Sequence, residues 1–552
     1  NMFVFLIFHA ILGVSVALDN GFMHPPMGWS ALYGAPFGNV DETNVVGAAK
    51  GLAAGGLSNF GYQYITLDDW YADRDANGTM IADPKKFPSG MPAVSDTIHG
   101  LGLKFGIYSA ASQRTCGNYS ASEFNEVNDA DTFANSWKID YLKYDACLYN
   151  SAVQSRPRYT AMSRALNATG RKIFYSVEGW SPDQGNWGPE VANMWRTGND
   201  IWPKWDQCIL HNLYQTNLAA PYQKPGAFND PDMIQPPGTV PGRTATPGLT
   251  MAEATSQFVL WAIMKAPLIL GVHWSVLGNL STVDPAYYKL ITNEEIIAID
   301  QDLSLQATLV CQMPSHAQQT SATLNVTVQQ CDPTRCDQKF VQGSGGTIMS
   351  ADGSLCVTTD TTTGKVTAEP CAANNPNQHI ALKKNSQFDI AKLSSPDDCM
   401  LAGVGASVPT VGTCPYKGIL PPPLNAKNVA SQIFLWDAQE GQIITGGGGG
   451  CLTVGNANLY TVPQGGVYTN NGTLEHEVWK GLLSSGKQVV VLFNKGVSTE
   501  TITASPTVLA INSQQPTPVR DVLAQVDLAP LAPGMGLSAT VDSHSVKLFV
   551  LG

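Results

Sequence analysis

Between residues 27 and 272 the chain alternates eight times between short apolar runs of strand character and segments with helical spacing, and nothing else in it limits the fold so tightly. The strand-like runs are 27–32, 62–69, 104–110, 140–147, 172–178, 194–200, 226–233 and 266–272. Between most of them apolar residues recur at three- and four-residue intervals, as in 45–58, 91–101, 130–137 and 250–264, which predicts helices. Strand and helix alternating over about 250 residues predict a (β/α)8 barrel of the TIM type. A doubly wound open sheet would bring a glycine-rich phosphate turn after its first strand, and none follows residue 32.

In such a barrel the reacting groups gather at the C-terminal strand ends, and here those ends are acidic. The second run ends in Asp68-Asp69-Trp70, the fourth carries Lys143 and Asp145, the sixth runs from Arg196 to Asp200, and the seventh ends in Asp230-Pro231-Asp232. Lys143 and Asp145 are two residues apart in one strand and share a face, so the ammonium is expected to keep the carboxylate ionised and fit to be a nucleophile. Trp29 and Tyr108 add aromatic faces suited to the C–H side of a sugar ring. Any one of these has an ordinary explanation: Asp-Pro makes turns, Asp-Asp caps helices, and Lys-Asp makes structural ion pairs. Four acidic ends on one barrel face describe a sugar pocket instead. Two carboxylates flanking a glycosidic bond are the minimum apparatus for its hydrolysis, and Asp145 and Asp200 are the candidates.

Composition narrows the partners. A net charge of −12 with 43% hydrophobic residues describes an acidic globular protein of several domains and argues against nucleic acid and anionic membranes. Residues 1–17 read as a secretory signal peptide, and no later segment has the length and apolarity of an integral membrane span, the run 258–272 being broken by Lys265 and Pro267. Sequons at Asn77, Asn118, Asn167, Asn279, Asn325 and Asn471 predict glycosylation along that route. The eleven cysteines fit it too, an odd total that leaves at least one thiol unpaired within the chain, and none has zinc-site or Cys-X-X-Cys spacing. No metal, nucleotide or other cofactor is expected.

Beyond residue 305 the chain turns to serine, threonine, glycine and short strands. A Gln-X-apolar signature recurs at Gln338-Lys339-Phe340, Gln378-His379-Ile380 and Gln432-Ile433-Phe434, followed by Cys356, Cys399 and Cys451 respectively. This resembles the ricin-type β-trefoil, with Phe or Ile where that fold carries Trp. On that resemblance Cys356–Cys371 and Cys399–Cys414, each fifteen residues apart, form local disulfides, and Cys331–Cys451 ties entry to exit. The ricin-type sugar pocket uses an aspartate two residues beyond the first cysteine, where this chain has Thr358, Leu401 and Thr453, which favours a structural role over sugar binding. The runs 477–483, 488–493 and 545–550 then resume an antiparallel β-sandwich. The expected domains are the signal peptide 1–17, the catalytic barrel 18–304, a C-terminal β-sandwich of 305–319 with 466–552, and the inserted trefoil-like domain 320–465.

The ordered strings Met27-Gly28-Trp29, Leu67-Asp68-Asp69, Gly106-Ile107-Tyr108, Leu142-Lys143-Tyr144-Asp145, Trp195-Arg196 with Asp200, Asn229-Asp230-Pro231-Asp232-Met233 and Ala298-Ile299-Asp300-Gln301-Asp302 resemble glycoside hydrolase family 27, the melibiase-type α-galactosidases and α-N-acetylgalactosaminidases. The resemblance implies a retaining exo-glycosidase that removes terminal α-D-galactosyl residues by double displacement, with Asp145 as nucleophile, Asp200 as acid and then base, and their carboxyls roughly 5–5.5 Å apart. It further implies that Asp68 and Asp69 hold the hydroxyls that mark galactose, that Lys143 and Arg196 support the sugar and the charges, and that Trp29, Tyr108, Asp232 and Cys147 line the pocket. Cys116 and Cys147 match a family disulfide beside the nucleophile.

One loop departs from the family. Where it carries a cysteine before Glu-Trp, this chain reads Ser176-Val177-Glu178-Gly179-Trp180, and the partner cysteine before Trp195 is absent as well. Glu178 or Trp180 is expected in that corner, which faces the sugar's 2-position, so an α-N-acetylgalactosaminidase or a β-L-arabinopyranosidase stays open as an alternative. Asp69, which is Glu in some arabinopyranosidase-like members, leans towards galactose. A non-catalytic glycan-binding surface glycoprotein is the alternative from another class. The expected partner is an α-galactoside in an oligosaccharide, polysaccharide or glycoconjugate, with a homodimer allowed. The expected location is extracellular, or the lysosome or vacuole by the secretory route. Cys208, Cys311 and Cys336 are left without assigned partners.

Overall fold

The computed structural model describes residue 18, residues 20–147, 155–178, 184–238, 248–313 and 475–552 apart from 512 and 513, together with separate strands and turns between 324 and 454. Two compact units emerge, residues 1–250 with 261–306 and residues 251–260 with 307–552.

The first unit holds eight parallel strands: β1 (Met27–Ser30), β2 (Tyr64–Thr66), β3 (Lys104–Ala110), β4 (Tyr141–Asp145), β5 (Phe174–Val177), β6 (Met194–Arg196), β7 (Phe228–Asp230) and β8 (Leu268–Leu270). Their spatial order is β8-β1-β2-β3-β4-β5-β6-β7. The last seam is closed by Ile234, just past β7, which bridges in parallel to Leu270, its N–H donating to the Ile269 carbonyl at 2.8 Å. All eight expected strands are present, each within its run. Where a run overshoots its strand, the overshoot carries chemistry: Asp68, Asp69, Glu178, Asp200 and Asp232 all lie just past a ladder, where the backbone is free to turn. Helices Glu42–Ala54, Met91–Gly100 and Met251–Ile263 match the apolar periodicity, whereas the expected helix over 130–137 forms as Glu126–Asp131 followed by a wider π-type stretch, Thr132–Ser136.

Because side chains alternate along a strand, every second residue faces the barrel interior, and the interior fills in layers. Tyr64, Tyr141, Phe174, Met194 and Phe228 pack together as one buried cluster that makes the floor, with the Tyr141 and Phe174 rings stacked at 5.6 Å. Burying each of these side chains contributes roughly 1.5–3 kcal/mol. Two residues along each strand come Thr66, Lys143, Ser176, Arg196 and Asp230, around a common cavity, and two further come Asp68, Asp145, Glu178 and Asp232. An apolar floor and a polar middle bearing the two cations are thus written into alternate positions of five strands, and a carboxylate top into four of them.

In the second unit β9 (Thr308–Met313), β10 (His476–Leu482), β11 (Gln488–Asn494), β12 (Thr517–Asp521), β13 (Val526–Leu531) and β14 (Val546–Leu551) form an antiparallel sheet ordered β9-β10-β11-β14-β12-β13, and Glu500–Ala504 pairs with Leu537–Val541. Val478, Val490, Leu492, Val519 and Phe549 alternate into its core. Inside it Glu477 and Lys495, both fully buried, pair at 2.8 Å, and Glu477 also accepts from the Trp479 indole N–H at 2.8 Å, so neither charge is left bare.

The strands between 324 and 454 pair antiparallel, largely as hairpins, and the first, Leu324–Gln330, pairs with the last, Gly450–Val454, so entry and exit lie together. The expected Cys356–Cys371 disulfide is present. Gln378 of the repeated signature is buried and donates to the Thr358 hydroxyl oxygen at 3.1 Å. Cys331, Cys336, Cys414, Asn471 and the signal-peptide residues lie outside the described residues, as do the side chains of Cys399, Cys451 and Asn325. Cys311 is disulfide-bonded, and Cys208 is a free thiol. The sequon residues Asn77, Asn118, Asn167 and Asn279 are all exposed. Among the described residues no helix is long and apolar enough to cross a membrane.

Candidate active site

The top two layers of the barrel form one network of carboxylates strung on two cations. Lys143 lies 3.0 Å from Asp68 and 3.2 Å from Glu178, and its ammonium sits 5.4 Å from the centre of the Tyr108 ring. Arg196 pairs with the other Glu178 oxygen, with Asp200 at 3.0 Å and with Asp232 at 3.3 Å. Glu178 therefore bridges the two cations, and the chain Asp68-Lys143-Glu178-Arg196-Asp200 runs continuously across the barrel top.

Asp145, at the end of β4, accepts from the Tyr108 hydroxyl at 2.8 Å on one oxygen and from the Ala146 amide at 2.7 Å on the other. The Cys116–Cys147 disulfide is present, and the Cys116 sulfur lies 3.3 Å from the Asp145 oxygen that Tyr108 binds. With both thiols consumed, this pair offers a wall and no thiolate. Asp232 has a left-handed backbone, φ 74°, and accepts from the Ile201 and Met233 amides at 2.8 Å each. Through Ile201 it anchors the loop that carries Asp200. Asp69 accepts from the amides of Trp70 and Gly117, each at 2.6 Å, and so ties its own loop to the one bearing Cys116.

Two cations cannot neutralise seven carboxyl groups, and the balance of charge is set by burial. Burial and the neighbouring Glu178 carboxylate push Asp145 up to about 8, against the pull of Lys143 and the hydrogen bonds of Ala146 and Tyr108. Burial likewise lifts Asp68 to about 6 and Asp230 to about 7, and raises Asp232. For Asp200 burial also acts upward, but Arg196 and Lys143 outweigh it and hold the carboxyl below its ordinary value. Its side chain is 53% exposed, so water screens that pull. Lys143 pulls Asp145 downward, as their spacing predicts, but its ammonium is shared by Asp68 and Glu178, and burial outweighs that pull.

Of the other expected site residues, Asp68, Asp69, Tyr108, Lys143, Cys147, Glu178, Arg196 and Asp232 gather around this network, and Trp180 lies outside the described residues. Trp29 does not line the pocket. Its strand neighbour Ser30 faces the interior beside Thr66, so Trp29 points the other way, fully buried, with its indole N–H on the Val272 carbonyl at 2.7 Å. The aromatic residue that reaches the network from this segment is Tyr33, whose hydroxyl donates to Asp232 at 3.3 Å. Its signal in the sequence is weak: an aromatic four residues past Trp29 in a short helix that Ser30 caps.

An eight-stranded parallel barrel with carboxylates gathered at its C-terminal strand ends is the arrangement of a sugar-processing hydrolase. A family model described as alpha galactosidase A matches residues 35–302, and one described as the alpha galactosidase C-terminal beta sandwich domain matches 473–551. A probable alpha-galactosidase of Dictyostelium discoideum is 39% identical over 300 residues, covering 53% of this chain and 73% of that protein, and alpha-galactosidase 2 of Arabidopsis thaliana is 39% identical over 52% of this chain and 69% of its own length. The crystal structure of alpha-galactosidase I from Mortierella vinacea superposes with a TM-score of 0.61 at 23% identity, covering 97% of this chain and 98% of that one. The chain belongs to glycoside hydrolase family 27, the melibiase-type α-galactosidases.

Proposed function

We propose that the protein is a retaining α-galactosidase that hydrolyses terminal non-reducing α-D-galactosyl residues, with Asp145 as nucleophile and Asp200 as acid and base. The observation that carries this reading is the placement of the two groups on one network: Asp145 at the end of β4, tethered by Tyr108 and Ala146, and Asp200 on Arg196, with the charge of Lys143 acting on both. In the first step an Asp145 oxygen attacks the anomeric carbon while Asp200 gives its proton to the departing glycosidic oxygen, leaving a galactosyl ester on Asp145. In the second, Asp200 takes a proton from water, the hydroxide oxygen bonds to the anomeric carbon, and the ester bond breaks with its electrons returning to Asp145.

The reaction needs one proton on the pair, and it must lie on Asp200. In the unliganded site the preference is reversed, since Asp145 is raised and Asp200 lowered. A sugar that covers the exposed Asp200 strips its water and disfavours its charge, which moves the proton towards the reactive arrangement. Asp68, Asp69 and Lys143 hold ring hydroxyls, and Glu178 and Arg196 close the side facing the 2-position. No group in this scheme is a metal or cofactor.

The finer placements rest on sequence. The domain limits given above, secretion guided by residues 1–17, and a structural rather than sugar-binding role for the 320–465 module are part of the proposal. Asp145→Asn is expected to lower turnover of p-nitrophenyl α-galactoside by more than about a thousandfold with the fold retained. Wild-type protein should release nitrophenol from that substrate and not from the N-acetylgalactosaminide or the β-L-arabinopyranoside. Release from either of the others alone would replace galactose in this reading, and full activity of the Asn variant would remove Asp145 from its role.

A further inference from the structure

Three aromatic residues stand at the rim of this site. Trp70 directly follows Asp69 and Trp202 lies two residues past Asp200. Phe37 bridges them, its ring centre 4.8 Å from that of Trp70 and 6.4 Å from that of Trp202. Tyr33, bonded to Asp232, packs edge-on against Trp202, ring centres 6.5 Å apart. Most aromatic rings of the barrel are buried, yet Phe37 is 56% and Trp202 38% exposed, so the row presents apolar faces to water.

The backbone marks the same place. Trp70 has φ 72°, a left-handed conformation costly for so bulky a residue. Its indole lies on Gly117, where a Cβ would come within 2.5 Å of the ring, and Gly117 follows Cys116, the sulfur that touches Asp145. Strain and a missing side chain are thus combined to hold one indole against the loop whose disulfide touches the nucleophile, while Trp202 follows the acid by two residues.

We propose that Phe37, Trp70 and Trp202 form the leaving-group subsite and take a neutral pyranose ring by stacking. This rests on the roles given to Asp145 and Asp200. The bond to be cleaved lies between those carboxyls, and the galactosyl ring occupies the hydroxyl-binding side walled by Asp68 and Lys143. The leaving group must then pass outward over the residues that follow Asp69 and Asp200, among them Trp70 and Trp202, with the Phe37 ring against both. They bring C–H-compatible faces and no charge, so they fit an uncharged sugar ring, whose axial hydrogens pack on π faces. Stacking there also seals Asp200 from water, the change that its protonation requires.

The test uses the full chain and three probes: the disaccharide melibiose, raffinose, and α-galactosyl fluoride, which has no leaving-group ring. Phe37→Ala and Trp202→Ala, each checked for an unchanged melting temperature, are expected to lower kcat/KM for melibiose and raffinose by about tenfold. Fluoride release should change by less than about twofold, and Phe37→Tyr should restore the sugar substrates. Equal losses on all three probes, or no loss on the disaccharide, would overturn the subsite while leaving the activity standing. A wild-type protein inert towards the fluoride would overturn the activity itself, and the subsite with it.

Discussion

At the scale of single residues, the site is governed by how Glu178 spends the two cations. Its two oxygens occupy Lys143 and Arg196, and its own charge bears on Asp145 against the pull of Lys143. Burial is the larger cause of the upward displacement of Asp145, and Glu178 the next. For a pair that reacts with one proton, kcat/KM follows a bell whose limbs are the pair's apparent values whichever member holds the proton. The alkaline limb is therefore expected near the Asp145 value of about 8, and the acid limb below the ordinary carboxylate range, where Asp200 is held. Glu178→Gln removes a negative charge next to Asp145, so the alkaline limb should move to lower pH. A pH profile of kcat/KM on the variant reads this directly, and an alkaline limb that stays or rises would show that Glu178 does not act on the nucleophile.

At the scale of elements, each barrel strand contributes a column read from floor to rim, such as Tyr64-Thr66-Asp68 or Tyr141-Lys143-Asp145. This period of two was legible in the sequence, and so were the eight strands, because apolar and acidic residues change places at regular intervals. Strand β1 was not legible in this way, since all four of its residues are buried and both faces look alike in sequence. That is why Trp29 was expected in the pocket and Tyr33 was missed. The ion pairs through Glu178 were equally hidden, because they depend on which strand ends are neighbours in space. The packing behind β1 gives a test. A Cβ at Gly34 would lie 2.1 Å from the Trp29 indole nitrogen, and Trp29 is fully buried and hydrogen-bonded to Val272, so it has nowhere to move. Gly34→Ala is expected to cost about 1–3 kcal/mol by overpacking. Because Tyr33 is its neighbour, kcat/KM should fall as well. Urea denaturation with the midpoint unchanged would mean that the β1 segment is looser than its contacts imply.

At the scale of the whole molecule, the catalytic layer is a burden on stability that acidity relieves. Asp68 at about 6, Asp230 at about 7 and Asp145 at about 8, with Asp232 also raised, all lie above the 3.8 of an unhindered aspartate. Between that value and their folded values these groups carry more protons in the native chain than in the unfolded one. Stability must then fall as pH rises through this window. Asp200 has the opposite sign, but its contribution is lost only below the ordinary carboxylate range and is screened by exposure. Each unit of upward displacement corresponds to about 1.4 kcal/mol, although protons shared within the network make the total smaller than the sum. Melting temperature should accordingly be higher at pH 5 than at pH 8. Asp145→Asn, which cannot ionise, should raise the melting temperature at pH 8 while changing it little at pH 5, even as it abolishes turnover. Thermal unfolding of the two proteins across that range decides the matter: parallel curves would mean that the strain of holding a bare carboxylate under the sugar is carried by some other group.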